Sequence, residues 1–155
     1  MKIWLIEDDG FKRDKLRAAL ADIFEEPEVF EARSAKSAFN LLAGGTPDLV
    51  VLDMSLPTFD IGPSESGGRP QGFGGVEVLR EMDRRGLTVP VIVVTQYEVF
   101  GEERVGIGEL AKRLASEHPE RFVGLVYYET ASEQWKKGFA EQATRAVRAK
   151  GAVGE

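Results

Sequence analysis

Four apolar residues followed at once by an acid, Leu49-Val50-Val51-Leu52-Asp53, constrain this chain more than any other stretch. Turn formers bound the run, Gly44-Gly45-Thr46-Pro47 before it and Pro57 after it. A short, wholly apolar run between turn signals reads as a strand buried on both faces, and such a strand needs helices over both faces of its sheet. In open parallel sheets of this kind ligands sit beyond the carboxyl ends of the strands, so Asp53 is delivered to the edge where chemistry is done. Taken alone, an acid in that place also suits a helix N-cap or a loop. Its company decides between them.

That company is found along the rest of the chain. A first strand over 2–6 ends in Glu7-Asp8-Asp9-Gly10, and Leu16, Leu20, Ile23 and Phe24 then recur at helical spacing over 11–24. Residues 28–32 mix polar and apolar side chains, as an edge strand does. Ser34 is placed to cap a helix over 35–42 that Gly44-Gly45 terminates. Residues 58–74 carry five glycines and two prolines without usable periodicity and read as a long loop, a functional lid or an insertion. Val76, Leu79 and Met82 mark a third helix ending at Gly86. A nearly all-apolar fourth strand, 89–95, closes on Thr95. After a connection over 97–106, Ile107, Leu110, Ala111 and Leu114 mark a fourth helix, and 122–128 is the fifth strand. Thr130-Ala131-Ser132-Glu133 fits a capping box for a last helix whose buried stripe is Trp135, Phe139, Ala143, Ala146 and Val147.

Five alternations of strand and helix predict an α/β fold with a mainly parallel sheet. A flavodoxin-like order of 2-1-3-4-5, three layers with helices on both faces, makes strands one, three and four neighbours. The acids after strand one, Asp53 and Thr95 then share one site. The 155 residues, 43% of them apolar, suit a single domain over 1–150 with a frayed tail over 151–155. With no cysteine there is neither a disulfide nor a thiolate metal site. Residues 2–6 are too short for a leader or a membrane segment, so the chain reads as soluble and cytoplasmic. A formal charge of −6 with scattered basic residues argues against nucleic acid as a direct partner, and no membrane partner is expected. His118 lies at a helix end and reads as solvated, while Trp4 and Trp135 read as core.

Several carboxylates held together repel one another, and a divalent cation relieves that repulsion. All-oxygen ligands favour Mg2+, Mn2+ or Ca2+ over zinc. Such a site handles phosphoryl groups, with a carboxylate itself able to act as nucleophile and a hydroxyl such as that of Thr95 able to donate to a phosphoryl oxygen.

With Ile6-Glu7-Asp8-Asp9, Val51-Leu52-Asp53-Met54-Ser55-Leu56-Pro57 and Ile92-Val93-Val94-Thr95 in that order, the chain resembles the receiver domain of two-component response regulators over nearly its whole length. The resemblance implies Asp53 as phosphoacceptor and Asp8 as a direct ligand of Mg2+ (or Mn2+). It makes Glu7 a ligand through water, the Ser55 carbonyl the last protein ligand, and Thr95 the switch hydroxyl. It implies a stand-alone phosphorelay module whose partners are a histidine kinase or phosphotransfer protein, a downstream protein and a second copy of itself.

Two departures qualify that expectation. The family's lysine after strand five is missing: its place falls within Tyr127-Tyr128-Glu129, and no lysine occurs between Lys112 and Lys136. Lys12 and Arg13 could supply a substitute charge, but as helix-one residues they are expected to face solvent. Residues 58–74 and 96–122 together also add roughly twenty residues beyond the family's usual loops. These departures motivate an alternative, an atypical receiver acting as a phosphorylation-independent protein-binding adaptor. A metal-dependent phosphohydrolase would need a second acid at position 55, where Ser stands, so no enzymatic activity beyond self-phosphotransfer is expected.

Overall fold

The computed structural model describes residues 1–60, 74–96, 99–100 and 105–153. In chain order the elements are β1 (Lys2–Ile6), α1 (Gly10–Ile23), β2 (Glu28–Ala32), α2 (Ala35–Gly44), β3 (Leu49–Leu52), α3 (Gly74–Arg84) and β4 (Val91–Thr95). There follow β5 (Val99–Phe100), β6 (Val105–Gly106), α4 (Ile107–Glu117), β7 (Phe122–Tyr127) and α5 (Trp135–Val153). The main sheet is parallel throughout, ordered β2-β1-β3-β4-β7. Since β7 is its fifth strand, this is the 2-1-3-4-5 order expected, with β2 at an edge.

Successive strand residues point to opposite faces, and each face has its own core. Ile3, Leu5, Leu49, Val51, Ile92 and Val94 pack beneath α1 and α5, against Leu16, Leu20, Phe139 and Ala143. Trp4, Ile6, Val50, Leu52, Val91 and Val93 pack beneath α2, α3 and α4, against Leu42, Leu79, Met82 and Leu114. Trp4 and Trp135 are both core residues. Ser34 caps α2 as read from the sequence: its Oγ accepts from the Ser37 amide, and Ser37 Oγ accepts from the Ser34 amide, each at 3.0 Å.

Four local expectations change. Residues 97–106 hold a short antiparallel pair, β5 with β6, rather than plain connection. The capping box at Thr130 does not form: 129–132 make a turn, Ser132 Oγ accepts from the Gln134 amide, and α5 starts only at Trp135. At its other end α5 runs to Val153, into the tail expected to fray. His118 is not solvated. It ends α4 at 3% exposure with Nδ1 2.9 Å from the Asp83 carboxylate, which also pairs with Arg121. Of the predicted 58–74 loop, residues 61–73 lie outside the described residues. Among those described, no helix is long and apolar enough to cross a membrane.

Candidate functional site

Three adjacent strands set the site. Ile6 lies opposite Leu52, and Leu52 opposite Val93, so the residues that follow each strand leave the sheet at one carboxyl edge. The three acids after β1 then take three different tasks. Glu7 turns inward, 1% exposed, its amide held by the Ala32 carbonyl and its Oε2 accepting from the Asp9 amide at 3.0 Å. Asp9 turns outward as N-cap of α1, its Oδ1 accepting from the amides of Phe11 and Lys12 at 2.9 and 3.2 Å. Asp8, between them, is an exposed residue whose carboxylate joins the cluster.

Asp53 enters from β3, its amide bonded to the Ile6 carbonyl and its side chain only 3% exposed. Ser55, buried beside it, donates its amide to Asp53 Oδ1 at 3.3 Å, so the loop after β3 is folded back on its own acid. Helix α3 presses on this loop. A Cβ placed on Gly75 would stand 2.6 Å from the Asp53 carbonyl oxygen, which only glycine avoids. Ligand oxygens of Glu7, Asp8 and Asp53 lie within 4.8 Å of one another. Thr95, fully buried, ends β4 at the same edge, and its carbonyl accepts from the Tyr128 amide at 2.7 Å.

Lys12 is the residue the sequence reading misplaced. It is 1% exposed, with Nζ 2.6 Å from Glu7 Oε1 and 3.5 Å from Asp53 Oδ1, and it donates to the Val94 carbonyl at 2.9 Å. Arg13 is buried as well, donating to the Glu7 carbonyl at 3.1 Å and pairing with Glu31. The expectation that both face solvent is therefore corrected. A signal for Lys12 existed: it stands four residues before Leu16 and eight before Leu20, in phase with the buried stripe of α1. Where the lysine was sought, Tyr127 ends β7, Tyr128 is buried, and Glu129 is exposed. The Tyr128 ring carries the Lys12 ammonium, with Nζ 5.8 Å from its centroid.

One ammonium cannot neutralise two buried carboxylates. Desolvation, reinforced by the Asp53 charge and only partly opposed by Lys12, pushes the Glu7 carboxyl up to about 9 from its ordinary 4.5. Asp8 is raised by the same two causes, burial first and Asp53 second. Burial pulls Lys12 down, but Asp53 and Glu7 overcome it, so its ammonium is held above the ordinary value. The pocket thus gathers three carboxyl groups around one ammonium, all hard oxygen donors without thiolate or imidazole, and a small divalent cation that displaces their protons suits it.

A five-stranded parallel sheet with acids gathered at its carboxyl edge defines an α/β signalling module of the receiver type. Comparison with known proteins makes the assignment specific: the response regulator receiver domain family matches residues 3–105, and this chain belongs to it. The match stops before β7, the strand whose end lacks the lysine. The Detocs response regulatory protein DtcB of Enterobacter cloacae is 30% identical over 148 residues, which cover 93% of this chain and 99% of that protein. The protein of the same name from Vibrio alginolyticus is 29% identical, covering 87% and 94%. Among solved structures, the N-terminal domain of a response regulator/sensory box/GGDEF three-domain protein from Carboxydothermus hydrogenoformans superposes with a TM-score of 0.65 at 18% identity, over all of both chains. That last likeness concerns the fold alone.

Proposed function

We propose that this chain is a stand-alone receiver module of a phosphorelay, accepting a phosphoryl group on Asp53 in a step that depends on Mg2+ and thereby changing which protein it binds. The observation that carries the reading is the buried Asp53 carboxylate held beside Glu7, Asp8 and the Lys12 ammonium at the carboxyl edge of the sheet. In this reading Asp8, Asp53 and the Ser55 carbonyl hold the cation, Glu7 reaches it through water, and Thr95 supplies the switch hydroxyl. The bound ion, Mg2+ or Mn2+, would neutralise phosphoryl oxygens as charge builds on them. The donor is a phosphohistidine of a kinase or phosphotransfer protein. An Asp53 oxygen attacks phosphorus, the O–P bond forms, the P–N bond breaks, and the imidazole nitrogen leaves with its electron pair and takes a proton from water. The single domain over 1–150 and a cytoplasmic setting belong to the same proposal; the domain reading is supported by a relative matched along 99% of its own length.

Incubation with Mg2+ and phosphoramidate should add one phosphoryl group by intact mass, and Asp53→Asn should abolish it. Absence of an adduct with any small donor or kinase would sink the proposal. The adaptor alternative rests on the missing lysine and on the two insertions, and the ammonium supplied from α1 answers the first of these.

A further inference from the structure

The acid cluster is answered by one buried ammonium, and that ammonium comes from a helix. Lys12 leaves the first turn of α1 on the face it shares with Leu16 and Leu20. Its first turn is fixed by the Asp9 cap, which also binds the Lys12 amide itself. Three surroundings hold Nζ: Glu7 at 2.6 Å, the Val94 carbonyl at 2.9 Å and the Tyr128 ring beneath it. The Asp53 contact, at 3.5 Å, is the slackest. Acceptor and ammonium are therefore close without being locked together. A phosphoryl group placed on Asp53 replaces the single carboxylate charge with roughly 1.5 to 2 negative charges and presents three strong acceptor oxygens. In a buried pocket the nearest ammonium responds to such charge far more strongly than it would in water.

Resting on the phosphoacceptor reading above, we propose that Lys12 is the residue that grips the phosphoryl group during and after its transfer to Asp53, a cation delivered by α1 where the end of β7 offers only Tyr127, Tyr128 and Glu129. Lys12 keeps its proton throughout. As the attacking oxygen loses charge to the phosphoryl oxygens, the ammonium follows that charge outward from Asp53. Its bond to the Val94 carbonyl keeps it over the end of β4, and the Tyr128 ring blocks retreat toward β7. Because Lys12 also contacts Glu7, at 2.6 Å, its role must be separated from that of a partner to Glu7 alone.

The test follows phosphoryl transfer from phosphoramidate at saturating Mg2+, by intact mass over time, with folding checked by circular dichroism. Lys12→Met should slow the adduct by about 10- to 100-fold, the loss of one charge-assisted contact. Glu7→Gln removes the buried carboxylate that Lys12 would otherwise merely balance, so Glu7→Gln/Lys12→Met should still be slower than Glu7→Gln alone by a similar factor. Adding Tyr128→Lys to Lys12→Met returns an ammonium to the same place from β7 and should restore much of the rate. Wild-type rates in Lys12→Met, or equal rates in the two Glu7→Gln backgrounds, would overturn the role of Lys12 and leave Asp53 as acceptor. No adduct on the wild-type chain would overturn the phosphoacceptor reading and this inference with it. A second readout needs no donor: Trp135 packs against Tyr128 in a tilted pair with ring centroids 5.0 Å apart. Beryllofluoride, a phosphoryl mimic, should shift its fluorescence in the wild type at concentrations at least tenfold below those that Lys12→Met requires.

Discussion

At the scale of single residues, the chemistry of this protein is a matter of charges that cannot all be satisfied. Glu7 and Asp53 are both buried, and the one ammonium between them leaves Glu7 holding its proton well above the ordinary carboxylate range, up to about 9. A carboxyl raised on folding binds more protons in the folded chain than in the unfolded one between those two values. Stability from this group is thus full below about 4.5 and is lost as pH rises through about 9. Without divalent metal, the melting temperature should therefore fall as pH is raised from 5 to about 9, and Glu7→Gln should flatten that slope. Mg2+ must displace the proton, so its affinity, read by calorimetry, should climb over the same interval. An affinity independent of pH would mean that Glu7 is already ionised in the metal-free protein. Glu7, Asp8, Asp53 and Thr95 were all legible from their places after apolar strands. Lys12 was not, because helical phase put it inward while its charge argued outward. Only the acids waiting at the end of β1 and β3 resolve that conflict.

At the scale of elements, two short features decide how well the loop that carries Asp53 is held. Helix α3 approaches the Asp53–Met54 backbone so closely that Gly75→Ala would drive its methyl to within 2.8 Å of the Met54 Cα. The helix must move, at a cost of about 1 to 3 kcal/mol. The chemical-denaturation midpoint should drop accordingly, and phosphoryl transfer to Asp53 should slow with it. On the other side of the loop, Ser34 caps α2 and its Oγ also donates to the Asp60 carboxylate at 2.5 Å. The Ala35 amide bonds to the Pro57 carbonyl, so the start of α2 is tied to the chain leaving the site. Ser34→Ala should cost about 1 kcal/mol by urea denaturation. Ser34 could be read from sequence as the cap of α2 because a serine there directly precedes the helical run, while the reciprocal bond to Ser37 Oγ appears only in the structure. The false capping box at Thr130 offered a hydroxyl with Glu133 three residues on, but there a turn over 129–132 uses Ser132 instead.

At the scale of the whole molecule, the two edges of the sheet have separate duties. The carboxyl edge carries the acids, while the opposite edge is closed by Asp83 at the end of α3, which meets both His118 and Arg121 just before β7. Arg121 also donates to the Leu87 carbonyl, so one cluster ties together α3, the approach to β4 and the start of β7. Asp83→Ala should lower stability by about 1 to 3 kcal/mol, since it strips partners from two buried polar side chains. The urea midpoint should fall at unchanged m-value, with Mg2+ affinity unaffected because the acid cluster lies at the far edge. A change in Mg2+ affinity would show that the two edges are coupled. By itself the sequence determined the number and kind of the principal elements, the parallel sheet and the strand ends bearing carboxylates, because hydrophobic period and turn residues act locally. Which cation enters the acid pocket was decided by the tertiary structure. Burying an ammonium is favourable only where two carboxylates from distant parts of the chain already converge, and that convergence exists only once β1, β3 and α1 have packed.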